Sequence, residues 1–301
     1  VGILETIQHV SKIKDGGTIK REIPSGMYEI NVTMDDVYLT KKEIVTDTII
    51  DIPGSESDLI LQEITQFMQD ETRSLYEAYG LVYKKGFLLH GRAGTGKSVT
   101  AIVAAKKLIE QKNAIVFFNP APNHFKYALE TFGPELEGKL ICLLMEEFET
   151  VYNNYPQEIL SLLDGESQLS NFVTIACTNY IEQLPERIKS RPSRFSTIME
   201  IPSPNEEVRR VFVRGKLLDT DMEKLAPIVD ATDGFTIDQI KDVIISVCIF
   251  NQSISDAVMK IKNMSQDGLG EENIRSYQVN NYLSEIKKEL GTLQRSILRK
   301  K

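Results

Sequence analysis

With 301 residues, 42% of them hydrophobic and 26% charged, the chain has the make-up of an ordinary globular protein, long enough for one large domain or two to three small ones. Its net charge of −8 argues against a general nucleic-acid or anionic-membrane surface, while leaving room for a local basic patch. Cys142, Cys177 and Cys248 are widely spaced in apolar runs, and His9, His90 and His124 lack ligand spacing, which gives no support to a disulfide framework or a Cys/His metal site and points to a reducing compartment.

Residues 17–54 are rich in Ile, Val, Thr and Tyr and broken by Pro-Ser-Gly and Asp-Asp, the pattern of several short strands. Apolar residues then recur at helical spacing over 59–79 and stop at Gly80, which suits a helix C-cap. From there strand-like runs at 87–90, 114–119, 140–145, 172–178 and 197–201 alternate with helical stretches, predicting a parallel five-stranded sheet with crossover helices. After Pro204 only helical patterns follow, with a break at 266–270. The expected organisation is a β-rich N-terminal region over 1–56, an α/β core over 57–203, a helical subdomain over 204–264 and a C-terminal helical tail over 265–301. No run approaches the roughly 18 apolar residues of a spanning helix, and the N-terminus shows no cleavable-signal pattern. A soluble cytoplasmic protein without a membrane partner is therefore expected.

The strongest local signal is "GFLLHGRAGTGKS", in which G-x-x-x-x-G-K-S runs from Gly91 to Ser98 after a strand and before a helix-forming run. Glycines let such a loop wrap so that backbone N–H groups point at phosphate oxygens, and the helix aims its positive end the same way. Gly91, Arg92, Ala93, Gly94, Thr95, Gly96, Lys97, Ser98 and Val99 are the candidate contacts. Lys97 is expected to reach the β- and γ-phosphates of ATP, and Ser98 to offer its hydroxyl to Mg²⁺. The apolar run "ICLLMEEFET" supplies what that site still needs. Magnesium is a hard cation that takes oxygen ligands, largely through water, which assigns Glu146 to the metal, on a strand beside the loop. An attacking water needs a base, which assigns Glu147, with Glu146 and Glu149 the next acceptors in line.

Together these stretches resemble the AAA family of P-loop ATPases, within the larger AAA+ class. "GFLLHGRAGTGKS" resembles its first motif and "LLMEEFE" its second. "LSLLDG" at 160–165 resembles the following helix, "ACTNYIEQLP" the first sensor, "RPSRF" at 191–195 the second region of homology, and "DGFTIDQI" at 233–240 the lid. The resemblance covers roughly 79–261 in the family's order. It implies that 204–264 is a helical lid, that Asn179 helps position the attacking water, and that Arg191 and Arg194 are arginine fingers facing a neighbouring protomer. It also implies a homo-hexamer or other ring acting on a protein partner.

Several features depart from the family. Glu146 replaces its usual Asp, the lid offers Asp238 or Gln239 near the second sensor, and the aromatic-hydrophobic-Gly pore loop is absent. In its place stands "NPAPNHFKYALETFG", where Phe125 reads either as a substituted pore residue or as a core aromatic at a helix start. Met145 and Phe148 read as core. Three functions compete: an ATP-driven ring that remodels or translocates a macromolecular partner, a nucleotide-switched assembly or nucleic-acid-associated factor, and a slow scaffold. Intact Lys97, Glu147, Asn179, Arg191 and Arg194 argue against the scaffold. Nucleic acid stays an alternative partner that no basic aromatic stripe indicates.

Overall fold

The computed structural model describes residues 6–8, 22–33, 36–44, 55–164 and 170–266. The rest of the strand-rich stretch at 17–54, Gly165 of "LSLLDG" and the expected tail beyond Gln266 lie outside the described residues.

Eight described strands form one sheet: β1 (Thr6–Gln8), β2 (Gly26–Val32), β3 (Val37–Lys42), β4 (Lys84–His90), β5 (Ile115–Phe118), β6 (Ile141–Met145), β7 (Phe172–Thr178) and β8 (Thr197–Glu200). Their spatial order is β1-β3-β2-β5-β6-β7-β4-β8. The five strands expected from the sequence are the parallel block from β5 to β8, but the sheet continues past them. β2 pairs with β5 in parallel, and β3 and β1 add on antiparallel. The described N-terminal strands are thus built into the main sheet. The physical reason is that Ile115, Val116 and Phe117 of β5 are fully buried, so its outer backbone groups need partners that water cannot supply.

The helices are α1 (Glu56–Phe67), α2 (Asp70–Ala78), α3 (Lys97–Lys112), α4 (Pro122–Leu136), α5 (Phe148–Asn154), α6 (Pro156–Asp164), α7 (Glu186–Lys189), α8 (Glu206–Lys216), α9 (Leu225–Ala231), α10 (Ile237–Ile244) and α11 (Ile254–Gln266). The single helix expected at 59–79 is two. α1 buries Ile60, Leu61, Ile64 and Phe67, whereas α2 buries nothing. The chain breaks at 68–69 once the apolar stripe has entered the core.

Alternation along the strands feeds two cores, one on each face of the sheet. Leu89, Cys142, Leu144 and Ile175 pack with Ile60, Ile64, Ala101, Ala104 and Leu108 from α1 and α3. Leu88, Leu143, Met145 and Ala176 pack on the other face with Phe125, Phe132, Phe148 and Ile159 from α4, α5 and α6. The small alanines of α3 let that helix lie close to the strands, which fixes where its first residue, Lys97, sits. A third cluster, including Phe212, Ile228, Phe235, Ile240 and Ile261, is formed within the segment from α8 to α11. Among the described residues no helix is long and apolar enough to cross a membrane.

Candidate phosphate-binding and catalytic site

β4 delivers the chain to the loop in register with its neighbours: His90 lies opposite Thr178 of β7 and Glu200 of β8. At Gly91, φ is +143° and the Ile201 carbonyl oxygen would lie 2.4 Å from an added Cβ, so a side chain is excluded. Thr95 Oγ1 donates to the Arg92 carbonyl at 2.9 Å and tightens the turn. Lys97 is 6% exposed, and its Nζ donates to the carbonyls of Gly91 at 2.8 Å and Arg92 at 2.7 Å. The ammonium therefore points into the loop. Arg92, Ser98 and Val99 are exposed, while Ala93, Gly94 and Gly96 are half-buried.

Glu146 is not on the strand next to the loop, as the sequence suggested. β7 lies between β6 and β4, because the β6-to-β7 crossover returns the chain into the middle of the sheet. Glu146 and the loop are thus two strand spacings apart, roughly 10 Å. Since Met145 and Leu88 both lie level with Ala176, β6 ends two residues before β4 and β7, and Glu146 and Glu147 follow it at the same end of the sheet. The Glu146 N–H donates to Asn119 Oδ1 at 2.6 Å, with Asn119 itself in the left-handed region at φ +44°. Glu147 is exposed and also left-handed, at φ +49°, ψ +48°, a conformation that costs a non-glycine residue about 1 kcal/mol. The turn there ends β6 and starts α5. Phe148 is fully buried against Tyr152 and Phe195, anchoring the turn. Asn179 follows β7 half-buried.

Glu149 is 6% exposed, and its Oε2 is buried without a hydrogen-bond partner. Burial pushes the Cys177 thiol up to about 12, with Glu146 and Glu149 adding to the shift and Lys97 opposing it. One point at the end of β7 thus senses the loop lysine and both carboxylates. Burial also lowers the His90 pKa; Glu200 opposes this and Lys97 reinforces it. Among the described residues no group of three or more His, Cys, Asp or Glu side chains could hold a metal alone. Magnesium keeps several waters and takes further oxygens from phosphates, so it needs few ligands from protein side chains. The orphaned Glu149 oxygen and the strand-end Glu146 are acceptors suited to such a hydrated ion.

The two arginines differ. Arg194 is 6% exposed; its Nε and Nη2 bind the Asp164 carboxylate at 2.7 and 2.6 Å, and Nη1 donates to the Arg187 carbonyl. This bidentate pairing holds the Asp164 carboxyl below its usual range. Arg191, with its side chain 60% exposed, reaches Asp164 only at 3.7 Å. The structure thus places Arg194 inside its own chain, because a buried guanidinium needs a fixed partner, and leaves Arg191 on the surface. Asp164 lies in the quoted "LSLLDG", but nothing local in the sequence links it to arginines so far along the chain. Asn119 is equally hidden, because an Asn after a strand reads as a turn residue.

The helical segment touches the loop. Asp238 N donates to the Gly94 carbonyl at 3.2 Å. A Cβ on Gly94, at φ +78°, would lie 2.9 Å from Thr236 Oγ1 and 3.0 Å from Asp238 Oδ2. Thr236 and Gln239 form a capping box at the start of α10, which fixes that contact. Phe125 is fully buried between Phe117 and Phe172, so of its two readings the core aromatic is the observed one.

Residues 87–203 match the family described as "ATPase family associated with various cellular activities (AAA)". An ATP-dependent zinc metalloprotease FtsH 1 from Methylacidiphilum infernorum is 26% identical over 241 residues, 70% of this chain and 36% of the relative. An AAA ATPase forming ring-shaped complexes from Corynebacterium diphtheriae is 26% identical over 214 residues, 58% of this chain and 40% of the relative. A proteasome-activating nucleotidase from Sulfurisphaera tokodaii is 22% identical over 274 residues, 78% of this chain and 66% of the relative. The chain thus spans well under half of the first two relatives. With the loop, the paired carboxylates and the strand order already in place, the match shows an AAA-family ATPase domain over residues 87–203 of this chain.

Proposed function

We propose that this chain binds ATP with Mg²⁺ at the 91–98 loop, hydrolyses it, and works in a homo-hexamer or other ring that remodels or translocates a protein partner. The observation that carries this reading is the convergence at one end of the sheet: Lys97 inside the loop, Glu146 and Glu147 at the end of β6, and Asn179 at the end of β7. Lys97 holds two neutral carbonyls, and charged phosphate oxygens are the stronger acceptors for the same ammonium. Ser98 and Glu146 would hold the metal, which supplies charge neutralisation at the phosphate oxygens. Glu147 would take the proton of the attacking water, and Asn179 would orient that water.

Two further elements extend the proposal. Residues 204–264 serve as a lid whose contact at Gly94 couples its position to the phosphate loop. Arg191 is the finger offered to the next protomer's γ-phosphate, with Arg194 and Asp164 bracing the segment that carries it. The ring rests on the exposed Arg191 and on the relative named for ring-shaped complexes.

The test is magnesium-dependent ATP turnover in the parent and two variants. Lys97→Ala should weaken ATP binding about 10- to 100-fold, the loss of a charge-assisted contact. Glu147→Gln should bind ATP normally while turnover falls roughly 10²- to 10⁴-fold. Parental turnover in Glu147→Gln would move the base elsewhere. Turnover that depends on added DNA or RNA would favour the nucleic-acid-associated alternative.

A further inference from the structure

The proposed mechanism leaves Glu149 without a task. It sits in the first turn of α5, two residues after Glu147, and is only 6% exposed. Its Oε2 has no hydrogen-bond partner. A carboxylate in that position is costly unless something pairs with it. Methionine or leucine would fill the space without that cost, so packing alone does not account for a glutamate. The position also matters: Glu149 lies in the first turn of α5, three residues after the strand-end Glu146, and both act with Lys97 on the Cys177 thiol.

Two kinds of partner can satisfy a buried carboxylate: a cationic side chain or a small donor such as water. Glu149 has no ion pair within the described chain, and a long arginine from a neighbour would have to enter the core beside Phe148. Water needs far less room. Magnesium characteristically keeps several waters, and each is a strong donor seeking an acceptor beyond the metal's direct ligands.

We propose that Glu149 is a positioning residue whose carboxylate accepts hydrogen bonds from waters carried by nucleotide-bound magnesium, as an outer contact behind Glu146. The inference rests on the nucleotide reading above. It makes the orphaned oxygen a feature kept for the loaded state at the expense of the unloaded one.

The experiment measures ATP affinity of the parent, Glu149→Gln and Glu149→Met by calorimetry, with Mg²⁺ and again with EDTA, together with melting temperature without nucleotide. With Mg²⁺ both variants should bind ATP about 10- to 100-fold more weakly. With EDTA they should match the parent, because the missing contact runs through the metal's water. Without nucleotide their melting temperatures should equal or exceed the parent's. Affinity within about twofold of the parent in Mg²⁺, or an equal loss with and without Mg²⁺ alongside a lowered melting temperature, would overturn the assignment and leave Glu149 a structural residue. A parent that binds no ATP in either condition would instead defeat the nucleotide reading itself.

Discussion

The phosphate loop and the arginine segment carry motifs of similar clarity, yet the structure treats them differently. In the loop the charged group is buried and aimed at the place where chemistry is expected: Lys97 is 6% exposed and held by the loop's own carbonyls. In the arginine segment the buried group is committed elsewhere. Arg194 is equally hidden, but two of its nitrogens are committed to Asp164, and the exposed cation is Arg191, which reaches the same carboxylate only at 3.7 Å. Burial therefore does not by itself mark a functional charge. What separates the two is the strength of the partner: Lys97 has neutral carbonyls that a phosphate outcompetes, and Arg194 has a full carboxylate that holds it.

The largest effect that would sharpen this contrast is catalytic. Arg191→Ala should lower turnover roughly 10³- to 10⁵-fold, the range for arginine fingers in other NTPases, while its melting temperature and ATP affinity stay at the parent's. Arg194→Ala should instead destabilise the fold by about 2–3 kcal/mol, below the usual cost of breaking a buried pair because Asp164 can partly rehydrate. Denaturant unfolding would read that loss. If Arg191→Ala lowered stability and Arg194→Ala lowered only turnover, the assignments of the two arginines would be reversed.

A smaller effect follows from the Asp164 carboxyl, which the Arg194 hydrogen bonds hold below its unfolded value. Its contribution to stability is complete above the ordinary carboxylate range, about pH 4, and is lost as pH falls through the depressed folded value. The parent should therefore lose stability on acidification more steeply than Asp164→Asn, which starts less stable and has no such carboxylate to protonate. Identical acid profiles would show that the pair contributes nothing to the fold.

Much of this was legible because the signals are local. Strand runs, the 91–98 loop and the adjacent glutamates each depend on neighbours within a few residues, and the parallel block appears where the alternation predicts it. Three things were not legible, each because it depends on contacts distant in sequence. β7 inserts between β6 and β4, which spacing alone cannot reveal. β2 joins β5 because a buried strand needs its outer edge paired. Asp164 captures Arg194 thirty residues away, a pairing visible only once α6 and the 191–195 turn are packed together. Glu149 is intermediate: its place after the acidic pair was readable, but its burial without a partner was not.

The most direct test of the account is complementation between copies of this chain. Arg191→Ala retains its own Glu147, and Glu147→Gln retains its own Arg191, so a mixed assembly contains interfaces with both groups intact. Once subunit exchange is demonstrated by labelled protomers, mixing the two inactive proteins should restore ATP turnover, and the recovered rate should rise with protein concentration and fall on dilution. An Arg191→Ala protein that hydrolyses ATP at the parental rate by itself would contradict the account, because no arginine would then be needed from a neighbour.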